Sequence, residues 1–103
     1  MINVLIADDH TVVRQGLRQI LSTDSQLKVV GEAVNGAEVL KMLESLAAEV
    51  LILDITMPGK NGLEVLKEVK RKYPQLRVLV LSMHPEDQLA IRILRAGASG
   101  YIT

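Results

Sequence analysis

No cysteine, tryptophan or phenylalanine occurs among the 103 residues of the sequence. The absence of cysteine excludes disulfide bonds, thiolate metal sites and cysteine nucleophiles, and it fits a reducing compartment. Without Phe and Trp the core must be built from aliphatic side chains, which suit buried parallel strands. The chain has the length of one domain, so we expect a single core.

An excess of charge of one sign and long apolar runs are missing too. The 12 Lys and Arg residues balance the 12 Asp and Glu residues, so no whole-chain field attracts nucleic acid or an anionic membrane. Direct DNA binding by this segment is therefore not expected. No apolar run approaches the ~20 residues of a membrane span, and the first residues lack the pattern of a signal peptide. We expect a cytoplasmic protein that does not contact membranes.

Short apolar runs alternate along the chain with segments whose apolar residues have helical spacing. The runs predict five strands, and the segments between them predict four helices. The strands are predicted at residues 4–7, 27–34, 50–53, 78–81 and 101–103, and the helices begin at residues 11, 37, 62 and 85. This α/β alternation predicts a flavodoxin-like, doubly wound, five-stranded parallel sheet in the order 2-1-3-4-5.

A sheet of this kind needs helices on both faces, and a fifth helix normally follows the last strand. The sequence ends at Thr103 instead. We therefore expect one domain over residues 1–103 that is truncated before its last helix. One face of the sheet should then keep an exposed aliphatic patch.

Three carboxylates come at the ends of two predicted strands. Asp8 and Asp9 follow the first strand, Asp54 follows the third, and these two strands would be neighbours. Ligands of open α/β sheets bind at the carboxyl ends of the strands. Like charges placed so close repel each other unless a cation neutralises them, and hard carboxylate oxygens favour Mg²⁺. The sequence thus predicts a magnesium site at this edge.

Such a site can support phosphoryl transfer. A carboxylate can attack phosphorus and form an acyl phosphate, with Mg²⁺ holding both the carboxylate and the phosphoryl oxygens. Asp54 is the best candidate for the nucleophile, because it emerges singly from the most apolar strand. Ser82 ends the next strand, where its hydroxyl could bond a phosphoryl oxygen.

Ordinary structural roles stay open for each of these residues taken alone. Asp8 and Asp9 could cap the helix that follows them, and Asp54 could start a turn. Met57-Pro58-Gly59 is typical of a turn. The loop residues that are more typical of solvated side chains than of ligands are His10, His84 and Lys60. The coincidence of three carboxylates at strand ends favours the metal site.

The motifs, in this order, resemble the response-regulator receiver family of two-component regulatory systems, and closely its NarL/FixJ-type branch. The matching stretches are VLIADDH at 4–10, VGEA at 30–33 with NG at 35–36, LDITMP at 53–58 with Gly62, LSMH at 81–84 and AGASGY at 96–101. The resemblance implies that Asp54 accepts a phosphoryl group from a phosphohistidine on a sensor histidine kinase. Such a phosphoprotein assists its own phosphorylation and dephosphorylation and is not an enzyme in the usual sense.

The resemblance also assigns the other site residues. The Mg²⁺ ligands it implies are Asp9, Asp54 and the backbone carbonyl of Thr56, with Asp8 assisting through water. Ser82 matches the hydroxyl switch residue that reorients toward the phosphate, and Tyr101 matches the aromatic switch position. A plain alternative for Tyr101 is a half-buried strand residue. The two switch residues would carry the signal to the surface formed by the fourth helix and fifth strand.

Partners follow from the same resemblance. Apolar residues surround most of the fourth helix, which points weakly to a homodimer. In the parent protein a linker and a C-terminal helix-turn-helix domain would bind DNA and regulate transcription, and neither lies in this segment. The family also carries a phosphate-binding lysine just past Gly-Tyr-Ile-Thr, one residue beyond the end of this sequence. That departure puts phosphorylation of the segment in question.

Three other functions stay open. One is a stand-alone receiver that acts by binding a partner protein. Another is a nucleotide or flavin binder, although the loop Asp8-Asp9-His10-Thr11 is acidic and free of glycine and would repel a phosphate without a metal. The third is a metal-dependent phosphohydrolase, which would need a general acid beside the nucleophile where Thr56 stands.

Overall fold

A computed structural model describes residues 1–57, 61–82 and 87–102 of the chain. In it, strands and helices alternate as predicted. The strands are β1 Ile2–Ala7, β2 Leu27–Ala33, β3 Val50–Asp54, β4 Arg77–Leu81 and β5 Gly100–Ile102. The helices are α1 Thr11–Leu21, α2 Gly36–Ser45, α3 Gly62–Lys72 and α4 Asp87–Arg95.

The five strands form one parallel sheet in the order β2-β1-β3-β4-β5. This confirms the predicted flavodoxin-like arrangement. The order reverses beside β1, which lies between β2 and β3, and Ala7 at the end of β1 pairs with Leu53 of β3. The residues that follow these two strands therefore lie next to each other, at the switch point where open α/β sheets bind ligands.

The strand that carries Asp54 is anchored on both faces of the sheet. Leu51 and Leu53 are fully buried in the main core, which includes residues of α2 and α3. Ile52 points the other way, into a smaller cluster against which Leu17 and Leu21 of α1 pack. Because alternate side chains are buried on both sides, the end of β3 has little freedom to move.

Several apolar side chains are exposed in the described structure, and two groups of them bear on the predictions. Val13 of α1 and Ile102 of β5 line one cavity together with Leu81 and are 37% and 49% exposed, and the aliphatic patch on one face of the sheet stays a prediction. On α4, Ile93 is fully buried while Ile91 and Leu94 are about half exposed. The predicted apolar character of α4 beyond its buried face is thus confirmed for these two residues.

Local hydrogen bonds explain where α2 begins. The Asn35 side chain accepts the Glu38 backbone N–H at 2.9 Å, and Glu38 Oε1 accepts the Val34 N–H at 2.9 Å. These reciprocal bonds make Asn35 the N-cap, so the predicted Asn35-Gly36 turn is the start of the helix itself.

The predictions for Pro58, Gly59, Lys60, His84, Pro85 and Thr103 lie outside the described residues. Across the described ranges, no helix combines the length and apolar character that a membrane crossing requires.

Candidate functional site

The three carboxylates predicted at the strand ends meet at one edge of the sheet. Single ligand atoms from Asp8, Asp9, Asp54 and His10 all lie within 4.8 Å of one another. Asp8 and Asp54 are only 3% and 4% exposed, whereas Asp9 and His10 face solvent. Two buried carboxylates this close are stable as anions only when a cation or hydrogen-bond donors compensate them.

The two carboxylate oxygens of Asp54 have different surroundings. Oδ1 accepts hydrogen bonds from the Thr56 backbone N–H at 2.9 Å and the Thr56 hydroxyl at 2.7 Å. Oδ2 lies 3.9 Å from His10 Nδ1, on the side of the other acids. Asp54 therefore makes the turn bond that its residue type favours and still presents one oxygen to the acidic cluster.

Asp8 does not act as a helix cap. The N-cap of α1 is His10, which makes no side-chain cap bond, and the first turn of α1 contains no acid. Asp8 Oδ1 instead accepts the His10 backbone N–H at 2.8 Å. The capping alternative is therefore not what the structure shows, and the Asp8 carboxylate belongs to the acidic cluster.

His10 contacts the cluster, although the sequence suggested a merely solvated loop histidine. Its Nδ1 lies 2.9 Å from Asp8 Oδ1 and 3.2 Å from Asp9 Oδ1, while its ring remains 59% exposed. The hydrogen bond to Asp8, followed by the charge of Asp9, raises the pKa of His10 above its usual 6.5. When protonated, the imidazole ring partly compensates the charge of the carboxylates.

The chemistry of the donor set fits Mg²⁺. Asp8, Asp9 and Asp54 offer hard carboxylate oxygens from two neighbouring strand ends, and Mg²⁺ uses few protein carboxylates and keeps several waters. The nitrogen that this group offers as a ligand atom, His10 Nδ1, lies within hydrogen-bond distance of Asp8. A site dominated by oxygen favours a hard cation over a transition metal. The carbonyl of Thr56 remains a predicted ligand.

Ser82 lies in the same site, and Tyr101 lies one strand further away. Ser82 is 3% exposed, and its backbone N–H donates to the Ile102 carbonyl at 2.9 Å. With Asp8 and Asp54, it lines a cavity of about 270 Å³. Tyr101 pairs with Val80 in the sheet and is half-buried against the main core. The switch roles of Ser82 and Tyr101 remain predictions.

A charged network beside the site was missed by sequence reasoning. Arg14 Nη1 donates to the Asp8 carbonyl oxygen at 2.8 Å, and Arg14 Nε donates to Glu32 Oε1 at 3.0 Å. Arg18 donates to Glu32 Oε2 from Nη2 at 2.8 Å. The only sequence signal was the spacing of the two arginines, which places them on one face of α1. Glu32 lies on β2, and Asp8 follows the last residue of β1.

This network makes the stability of the protein depend on pH in the acid range. The hydrogen bond from Arg18, then that from Arg14, lowers the pKa of Glu32 below its usual 4.5. A lowered folded-state pKa contributes stability above pH 4.5, and the contribution is lost as the pH falls through the folded value. We expect the difference in unfolding free energy between wild type and Glu32→Gln to shrink with acidification. Urea unfolding of both proteins at a series of pH values measures this difference in unfolding free energy. A difference that stays constant with pH would contradict the ion pairing of Glu32.

The fold and the acidic edge together define a class of protein. It is an open α/β domain with paired carboxylates at the switch point of its sheet and a buried hydroxyl on the next strand. The loop between β1 and α1, residues 8–10, contains no glycine. That combination supports metal-assisted phosphoryl chemistry better than nucleotide binding.

Comparison with known proteins agrees with this class. The family model described as response regulator receiver domain matches residues 4–103. The chain is 40% identical to the response regulator UvrY of Escherichia coli strain K12 over 103 residues, which are 100% of this chain and 47% of that protein. The isolated REC domain of RcsB from Salmonella enterica serovar Typhimurium, solved with the phosphomimetic BeF3⁻, gives a TM-score of 0.93 at 35% identity and covers 97% of this chain and 75% of that one.

A second RcsB structure, bound to promoter rprA in the presence of BeF3⁻, gives a TM-score of 0.93 at 34% identity and covers 99% of this chain and 59% of that one. The chain belongs to the response regulator receiver domain family of two-component signalling. The family and its NarL/FixJ-type branch, both predicted from the motifs, are thereby confirmed. The chain spans about half the length of the curated relatives it matches.

Proposed function

We propose that Asp54 is the phosphoacceptor of this receiver domain and that it takes its phosphoryl group from a phosphohistidine on a sensor histidine kinase in a Mg²⁺-dependent reaction. The observation that supports this most is the arrangement of Asp54 itself. It is buried at the end of β3, with Oδ1 bonded to Thr56 and Oδ2 toward Asp8 and Asp9. One oxygen is held while the other can react.

The chain's own residues would perform the following steps. The Thr56 N–H and hydroxyl orient the Asp54 carboxylate, so that Oδ2 attacks the phosphorus in line with the leaving imidazole of the donor. Asp8, Asp9, Asp54 and the Thr56 carbonyl would hold Mg²⁺, which when bound supplies positive charge to the carboxylates and the phosphoryl oxygens. The Ser82 hydroxyl, in the same cavity, donates to a phosphoryl oxygen. Hydrolysis of the acyl phosphate by water returns the domain to its resting state.

The phosphoryl group would act as a switch. Ser82 moves toward it, Tyr101 follows, and the surface of α4 and β5 changes. That surface carries the half-exposed Ile91, Leu94 and Ile102, which suit a protein partner such as a second copy of the domain. In the parent protein a C-terminal helix-turn-helix domain would read the switch by binding DNA. The balanced charge of this segment is consistent with DNA binding elsewhere.

Acetyl phosphate provides a direct test of Mg²⁺-dependent phosphorylation. We expect the intact mass of the protein to increase by one phosphoryl group when it is incubated with acetyl phosphate and Mg²⁺, and to stay unchanged when Mg²⁺ is chelated. Mass spectrometry under mildly acidic conditions preserves the acyl phosphate during the measurement. No increase with Mg²⁺ would leave the fold and family intact and would contradict the assignment of Asp54 as a phosphoacceptor in this segment.

A further inference from the structure

Three side chains outside the acidic cluster, Arg14, Glu32 and Arg18, form a clamp on the backbone from which Asp8 projects. Arg14 Nη1 donates to the Asp8 carbonyl oxygen at 2.8 Å, and its Nε donates to Glu32 Oε1 at 3.0 Å. Arg18 donates to the other carboxylate oxygen, Glu32 Oε2, from Nε at 3.0 Å and from Nη2 at 2.8 Å. One guanidinium thus connects α1, β2 and the end of β1.

The clamp acts on the residue that follows the end of β1. β1 ends at Ala7, so Asp8 lies just beyond the strand. The Asp8 N–H donates to the Ala33 carbonyl at 3.0 Å, and the Asp8 carbonyl is the group that Arg14 binds. With both backbone groups of Asp8 bonded, the peptide that precedes Asp9 is fixed as well. The directions of two carboxylates of the site therefore depend on this bond.

The two arginines differ in what they reach. The Arg14 side chain is only 15% exposed and uses different nitrogens for Glu32 and for the Asp8 carbonyl. The Arg18 side chain is 50% exposed, and the bonds it makes in the clamp go to Glu32. A planar guanidinium can bind two acceptors in fixed directions, whereas the ammonium of a lysine cannot reproduce that geometry.

We propose that Arg14 is a positioning residue of the metal site: by holding the Asp8 carbonyl, it keeps the carboxylates of Asp8 and Asp9 arranged for Mg²⁺. The inference rests on the Mg²⁺ site of the proposed function. Partners that orient metal ligands change metal affinity by roughly 10–100-fold when they are removed. The positive charge of Arg14 by itself opposes cation binding, so the test must keep that charge constant.

Arg14→Lys and Arg18→Lys form a matched pair for this purpose. Each variant keeps its charge and loses guanidinium bonds to Glu32, but only Arg14→Lys loses the guanidinium bond to Asp8. We expect Mg²⁺ to bind Arg14→Lys about 10-fold more weakly than wild type, and Arg18→Lys within about 2-fold of wild type. Isothermal titration calorimetry with Mg²⁺ alone gives the Kd, and thermal unfolding of the metal-free proteins measures the purely structural effect. A structural role alone would lower the Tm without separating the Mg²⁺ affinities of the two variants.

The outcomes distinguish this inference from the proposed function. If wild type binds Mg²⁺ and Arg14→Lys binds it equally well, the positioning role is overturned and the metal site stands. If wild type binds no Mg²⁺, the metal site is overturned and the inference with it. Should Arg14→Lys fail to fold, nuclear magnetic resonance of wild type decides: saturation with Mg²⁺ should shift the Nη resonances of Arg14, whose Nη1 donates to the Asp8 carbonyl, more than those of Arg18. Equal shifts would overturn the positioning role.

Discussion

Replacement of Asp54 by asparagine is expected to abolish acyl-phosphate formation completely. The amide of asparagine is not a nucleophile toward phosphorus, so the reacting group is lost. The shape of the site is kept, because the asparagine Oδ1 can still accept the Thr56 N–H and hydroxyl that Asp54 Oδ1 accepts at 2.9 and 2.7 Å. Intact mass after incubation with acetyl phosphate and Mg²⁺ should show one added phosphoryl group in wild type and none in the variant.

Asp9→Asn is the matched control for this experiment. It also removes one negative charge from the acidic cluster, but it leaves the Asp54 carboxylate in place. Labelling of Asp9→Asn should therefore slow at low Mg²⁺ and recover as the Mg²⁺ concentration rises, because only a proposed metal ligand has been weakened. Phosphoryl transfer to the Asp54→Asn protein would contradict the assignment and would point to another acceptor in the chain.

Much of this arrangement could be predicted because it depends on local pattern. The run of apolar residues in β3 predicts a strand buried on both faces. In the structure Leu51, Ile52 and Leu53 are all buried. The strand order then places Asp8 beside Asp54 without any knowledge of side-chain contacts, since the carboxyl ends of parallel neighbours meet at one edge. The cluster of carboxylates is thus a consequence of topology, and topology follows from the alternation of strands and helices.

The contacts that could not be predicted are those between elements distant in sequence. Nothing in the spacing of Arg14 indicates that its guanidinium reaches the Asp8 carbonyl and Glu32 together, because this depends on how α1 lies across the sheet. The position of His10 was missed for a different reason. A loop histidine is usually solvated, but here the helix starts so soon after β1 that the ring stays beside the carboxylates.

Gly62 marks another contact that sequence patterns do not reveal. It is the first residue of α3 and is buried against the backbone of Ile55, the residue that follows Asp54. A Cβ built on Gly62 would overlap the Ile55 carbonyl oxygen and would lie 2.7 Å from the Ile55 carbonyl carbon and Cα. The φ of Gly62 is not positive, so space rather than backbone conformation requires glycine here. The helix and the loop after Asp54 can approach this closely only without a side chain.

Gly62→Ala is therefore expected to destabilise the protein by about 3 kcal/mol, at the upper end of the usual cost of overpacking, because the clashing atoms belong to the backbone and cannot rotate away. Urea unfolding followed by circular dichroism measures the change. Gly16→Ala is the control: a Cβ on Gly16, in the middle of α1, meets no atom within 4 Å, and alanine there should stabilise by about 0.5–1 kcal/mol. To make room for the alanine methyl group, α3 must move away from Ile55 in the Gly62→Ala protein. This movement should also displace Asp54 and slow phosphorylation of the variant. Equal stability of Gly62→Ala and wild type would show that α3 can move away from Ile55 at no cost, and the close approach would then not be needed to hold the Asp54 loop.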